Sequence, residues 1–176
     1  MKLTEKASIT NALLVSICTP ELNGDEAVES LAELARLVST LGFKVVGSQT
    51  QKLSSTKRVN VLGAGKLADI AQLTGNQGEA VEREHEDEVA ADKIDIASMP
   101  ENISSENLAY GCADVVVFDC DLSPSQLRNV ENQLGVEVFD RTGVIIEIFS
   151  RHARTKTAKL QVEIAHLNYV APRLRE

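Results

Sequence analysis

Residues 114–139 read DVVVFDCDLSPSQLRNVENQLGVEVF, and the fold class is decided there. Val115, Val116, Val117 and Phe118 form an unbroken apolar run of strand length, β-branched through its centre, as expected of a strand covered on both faces. Ser123-Pro124-Ser125-Gln126 follows with a serine cap, a proline in the first helical position and a glutamine three residues after the cap. That arrangement satisfies the free amides of a helix start. The helix runs to Leu134 and stops at Gly135, and VEVF at 136–139 supplies another strand. Strand, helix, strand predicts parallel pairing through a crossover helix.

Working outward, NALLVSIC at 11–18 is a second strand-length apolar run, and residues 25–41 carry Val28, Leu31, Leu34, Ala35, Val38 and Leu41 at helical spacing, closed by Gly42. FKVVGS at 43–48 reads as the next strand. VNVL at 59–62 reads as a short strand leading through Gly63-Ala64-Gly65 into a helix at 66–73. From Thr142 onward the pattern is helix only. The predicted fold is α/β, a small parallel sheet flanked by helices and followed by a C-terminal helical extension. The expected division is 1–140 for the α/β part and 141–176 for the extension.

The chain has 176 residues, 43% apolar and 25% charged, enough for one sizeable core but not for two ordinary domains. Its net charge of −8, lack of Trp and 3% aromatic content argue against a cationic nucleic-acid module or an aromatic stacking platform in bulk. The average conceals opposite regions. Residues 1–140 carry a net −12 and residues 141–176 a net +4, while 75–107 alone hold ten acids against Arg83 and Lys93. That acidic stretch lacks a sustained apolar period and reads as a solvated insertion. Three cysteines without paired spacing give neither a disulfide framework nor a zinc site. No apolar run approaches the roughly 20 residues that span a bilayer, so a cytoplasmic protein is expected.

Motifs for chemistry are incomplete. Gly63, Gly65 and Lys66 form a turn whose amides and ammonium could approach a phosphate. A Walker A loop, however, would need glycine where Asn60 stands and a hydroxyl where Leu67 stands. Asp119 and Asp121 lie at the carboxyl end of a predicted strand, where ligands of open α/β sheets bind. The alternative gives one of them to pinning the next helix turn and the other to solvent. Asp140-Arg141-Thr142-Gly143 matches a short GTPase-like DxxG, a pattern common by chance. His85-Glu86 lacks the second histidine of a zincin, since position 89 is Val89. No nucleophile stands beside a base, so neither a catalytic residue nor a metal site is expected. The basic cluster Arg151, Arg154, Lys156 and Lys159, with Arg173 and Arg175 beyond it, suits phosphate backbones, its alternative being a face charged only for solubility.

Residues 118–131 (FDCDLSPSQLRNVE), 134–149 (LGVEVFDRTGVIIEIF) and 152–174 (HARTKTAKLQVEIAHLNYVAPRL) closely resemble, in order and spacing, the N-terminal domain of HflX, the ribosome-associated GTPase family. The resemblance extends back to Asn11 through the strands, the first helix and VLGAGK at 61–66. It leaves out residues 75–107. It implies an α/β domain followed by a pair of long helices, placed before a GTP-hydrolysing domain. It also implies a factor that binds the large ribosomal subunit and splits stalled ribosomes. GTP and magnesium belong, by that resemblance, to a domain that the chain does not reach, and no cofactor is expected in the chain itself. One departure is local: the family's R-T-x-E-G-K is Arg154-Thr155-Lys156-Thr157-Ala158-Lys159 here, and alanine for glycine favours a continuous helix by up to about 1 kcal/mol.

The expectation is a non-catalytic domain meeting ribosomal RNA through Arg151, Arg154, Lys156, Lys159, Arg173 and Arg175. Two alternatives are a stand-alone nucleotide-binding domain using Gly63, Gly65, Lys66, Asp119 and Asp121, and a protein-interaction domain. In the latter, Val162, Ile164, Leu167 and Val170 await a partner helix or a second copy in a homodimer.

Overall fold

A computed structural model of the protein describes residues 9–18, 24–52, 61–75 and 111–174. The order is β1 (Asn11–Cys18), α1 (Gly24–Thr40), β2 (Lys44–Lys52), α2 (Ala64–Leu73), β3 (Val115–Phe118), α3 (Pro124–Leu134), β4 (Glu137–Phe139), α4 (Arg141–His152) and α5 (Lys156–Val170), with a short 3₁₀ turn at Ala171–Arg173. The four strands form one parallel sheet in the order β2-β1-β3-β4.

The chain steps one way from β1 to β2 and the other way from β2 to β3 and from β3 to β4. Right-handed crossovers therefore put α1 on one face and α2 and α3 on the opposite face. Leu13, Val15, Val116 and Phe118 point to the second of these faces, packed with Leu67 and Ile70 of α2 and Leu127, Val130 and Leu134 of α3. Ala12, Leu14, Val115 and Val117 point the other way, against Leu31, Leu34 and Val38 of α1 and Val144 of α4. With side chains alternating between two covered faces, the central strands must be apolar at consecutive positions.

The expected start of α3 is present in full: Gln126 N donates to Ser123 Oγ, and Ser123 N donates to Gln126 Oε1. Gly135 ends the helix in the left-handed region at φ +67°, which alanine would enter only with strain. The short strand expected at 59–62 takes another form. Val61 and Leu62 make a bend, and positions 59 and 60 lie outside the described residues. Their apolar character serves burial, since both insert into the core beside α2 without joining a ladder.

The two residues that flank positions 76–110 lie together. Gly111 N donates to Gln72 O, and Ala113 N to Leu73 O, so residue 111 returns to the end of α2 where residue 75 departs. Residues 76–110, with His85 and Glu86, lie outside the described residues. The helical region behaves as two parts. Val144 of α4 is fully buried against the sheet, whereas α5 contains no buried residue. Among the described residues no helix is long and apolar enough to cross a membrane.

Candidate functional site

Two polar clusters lie at the carboxyl ends of the strands, and a third, cationic set runs from the far end of α4 to the turn after α5. The first lies where the chain diverges from β1 toward β2 and from β3 toward β4, the crevice position of open α/β sheets. Asp119 follows β3 directly, and its amide donates to Val15 O, extending the ladder by one bond. Its carboxylate is almost completely buried and accepts from Arg141 Nη1 at 2.9 Å. The same nitrogen donates to Ser30 Oγ at 2.9 Å, while Nη2 pairs with Glu33. Burial raises the Asp119 carboxyl above the usual aspartate range, opposed by Ser30 and Arg141. Asp121 accepts from Thr142 Oγ1 at 2.7 Å. Ser123 caps α3, so neither aspartate serves as that helix's cap, and both instead tie the end of β3 to the start of α4. Cys120, between them, is pushed up to about 12 by burial and by Asp119, Asp121 and Asp140. Such a thiol is a poor nucleophile at neutral pH.

The second cluster centres on Asp140, only 2% exposed. Oδ1 accepts from Gly143 N at 2.8 Å, capping α4, and from Tyr169 Oη at 2.6 Å. Oδ2 accepts from Leu122 N at 3.3 Å and from Arg173 Nη2 at 3.0 Å. Four donors fill the capacity of this carboxylate. Gly143 is required by contact rather than by backbone freedom, because a Cβ there would lie 2.5 Å from Tyr169 Oη. Asp140-Arg141-Thr142-Gly143 is thus a structural joint. The sequence signal for it was an aspartate ahead of an apolar helix, the ordinary sign of an N-cap; nothing local pointed to Tyr169.

The glycine turn is engaged by β2. Gly63 N donates to Gln51 Oε1 at 3.0 Å, and Lys66 Nζ donates to Gln49 Oε1 at 3.1 Å. Gly65 is exposed in the first turn of α2. Of the five residues considered for a nucleotide, Gly63 and Lys66 therefore bind glutamines of β2, whereas Asp119 and Asp121 bind Arg141 and Thr142.

The third cluster is the cationic one, and the structure divides it. Arg151 pairs with Glu147, donates to Leu41 O at 2.6 Å and lies over the Phe43 ring. It closes the carboxyl end of α1, where a cation is favoured by the free carbonyls. Arg173 stacks on Tyr169 and pairs with Asp140, with its side chain 15% exposed. It is a part-buried ion-pair partner and not a free surface cation. Arg175 lies outside the described residues. Arg154, Lys156 and Lys159 are exposed at the corner between α4 and α5 and form no ion pair among the described residues. Thr155 caps α5 by accepting from Ala158 N at 3.1 Å, so the helix is continuous through Ala158 and its break falls at 153–155.

On α5 the apolar residues left uncovered are Leu160, Ile164 and Leu167, each close to 60% exposed, with Leu174 beyond them. Val162 and Val170, expected in the same set, are partly covered.

A family described as GTP-binding GTPase N-terminal matches residues 28–86 and 98–150. The chain belongs to this GTP-binding GTPase N-terminal family. Its curated relatives carry the name GTPase HflX. That of Gluconacetobacter diazotrophicus is 46% identical over 97% of this chain and 38% of its own length. That of Caldanaerobacter subterraneus subsp. tengcongensis is 32% identical over 93% and 29%, and that of Escherichia coli 32% over 85% and 27%. The chain thus spans about a third of the length of these relatives and is the N-terminal domain of an HflX-type protein. A crystal structure of a GTP-binding protein from Sulfolobus solfataricus in complex with GDP shares the fold, with a TM-score of 0.54 and 22% identity over 94% of this chain and 38% of that one. The family match includes Asp119, Asp140, Arg141 and Gly143, and stops before α5, Tyr169 and Arg173.

Proposed function

We propose that this chain is the non-catalytic, RNA-facing platform of an HflX-type GTPase. The α/β body is a rigid support, and Arg154, Lys156 and Lys159 meet phosphates of large-subunit ribosomal RNA in the cytoplasm. Hydrolysis of GTP, with its magnesium ion, is assigned to sequence beyond this chain. The observation that carries the reading is the placement of Lys156 and Lys159. They stand in the first turn of α5, where the helix dipole disfavours cations by about 0.3–1 kcal/mol each, and no acid occupies that turn to balance them. Helix stability does not explain them, and attraction of a polyanion would. Arg151 and Arg173 serve the fold and are left out of the contact set.

The test is co-sedimentation with large ribosomal subunits across a salt series. Association should weaken steeply as salt rises, and Lys156→Glu with Lys159→Glu should abolish most of it. Retention unaffected by both treatments would end the proposal.

The exposed Leu160, Ile164 and Leu167 favour a second reading, in which α5 is an interaction surface for a partner helix or a second copy. Sedimentation equilibrium separates the cases, since a monomer at high concentration excludes the homodimer.

A further inference from the structure

The contacts at the far end of α5 do not match the rest of that helix. A 15-residue helix without a buried residue has little apolar packing to place it, and such a helix frays in isolation. Its carboxyl end is nevertheless pinned by a compact polar cluster. Tyr169 Oη and Arg173 Nη2 donate to opposite oxygens of Asp140, and the Arg173 guanidinium lies 3.2 Å from the centre of the Tyr169 ring. Arg173 also donates to Tyr169 O, and Arg128 of α3 donates to Arg173 O. The cluster thereby joins α3, the start of α4, α5 and the chain that leaves it.

Two features distinguish this cluster from an ordinary core network. Arg173 Nε is buried without an acceptor, so the closed arrangement holds one unmade hydrogen bond that hydration would recover on opening. Asp140 would not be abandoned by opening either, because Gly143 N and Leu122 N continue to bind it. Opening the end of α5 would therefore leave the α4 cap and the sheet formed, the condition for local rather than global opening.

We propose that Asp140, Tyr169 and Arg173 form a two-state latch that holds α5 and the outgoing chain against the α/β body and releases them without unfolding the sheet. This is independent of whether the cationic corner binds RNA. Gly143 provides the clearance: its hydrogen atoms face the Tyr169 hydroxyl where a methyl group would not fit.

Hydrogen exchange of the full chain, read by mass spectrometry, tests the proposal. In Tyr169→Phe and in Gly143→Ala, amides of 164–174 should exchange roughly tenfold faster or more, the scale of one lost hydrogen bond to a charged group, while β1 and β3 keep their protection. Unchanged exchange of α5, or equal loss of protection in α5 and the sheet, overturns the latch. A thermodynamic cycle guards against a mere folding defect. Once Tyr169→Ala removes the ring, adding Gly143→Ala should raise α5 exchange by less than about twofold, because the clash it would cause is gone. Additive effects of the two substitutions would refute the coupling.

Discussion

Phe118, Leu13 and Val116 are fully buried in the sheet, with helices over both faces, whereas every residue of α5 retains contact with solvent. The two regions are consequently held by different physics. Burying each large side chain of the body contributes about 1.5–3 kcal/mol and requires no particular partner atom. The position of α5 depends on a few directional bonds whose net worth is about 0.5–3 kcal/mol each. The body is the cooperative unit, and α5 is the element that conditions can move.

Substitutions that break this contrast are ordered by size. Phe118→Ala is expected to cost about 3–5 kcal/mol in a denaturant titration, because the cavity lies between β3 and two packed helices. Arg141→Met should come next, at about 2–4 kcal/mol near pH 7.5, since it leaves Asp119 buried without its counter-charge. The sign of its pH dependence follows from Asp119. Burial raises that carboxyl in the folded chain, so folding at this site is favoured by protonation and the stability it adds is lost as pH rises through the folded pKa. Without Arg141 the carboxyl rises further, and the deficit at about pH 4.5 should be smaller than at pH 7.5. An equal deficit at both would show that lost packing, not the stranded charge, dominates.

Replacing residues 76–110 by a direct link between Gly75 and Gly111 should leave thermal stability equal or higher, by up to about 2 kcal/mol, because the two glycines already meet and a shorter loop loses less entropy on closure. Lys156→Glu with Lys159→Glu should stabilise the domain slightly, by about 0.3–1 kcal/mol, while removing ribosome association. Opposite movement of the two readouts distinguishes a contact role from a structural one. Leu167→Ala, on the uncovered side of α5, should change stability by less than about 0.5 kcal/mol. A larger loss would mean that α5 is packed after all.

Local signals carried the elements well where one short segment contained all the information. Ser123, Pro124 and Gln126 define the start of α3 among themselves, and Gly135 ends it, so no distant residue is needed to read them. Val61 and Leu62 show the limit. Two apolar residues before a glycine turn are compatible with a strand or with a buried bend, and only the available sheet neighbours decide between them. The cationic residues show it again. Arg151, Arg154 and Arg173 look alike in sequence, but Glu147, the Leu41 carbonyl and Asp140 engage two of them and leave Arg154 exposed.

By itself the sequence determined the alternation of strands and helices, the parallel sense of the sheet and the charge contrast between its parts. These depend on side-chain period, capping chemistry and composition, all written within short windows. Tertiary structure alone decided the strand order, the engagement of Arg141 by Asp119 and the convergence of Tyr169 and Arg173 on Asp140. Those contacts join residues 22 to 33 positions apart, and a carboxylate selects its donors by the geometry of folding rather than by their nearness along the chain.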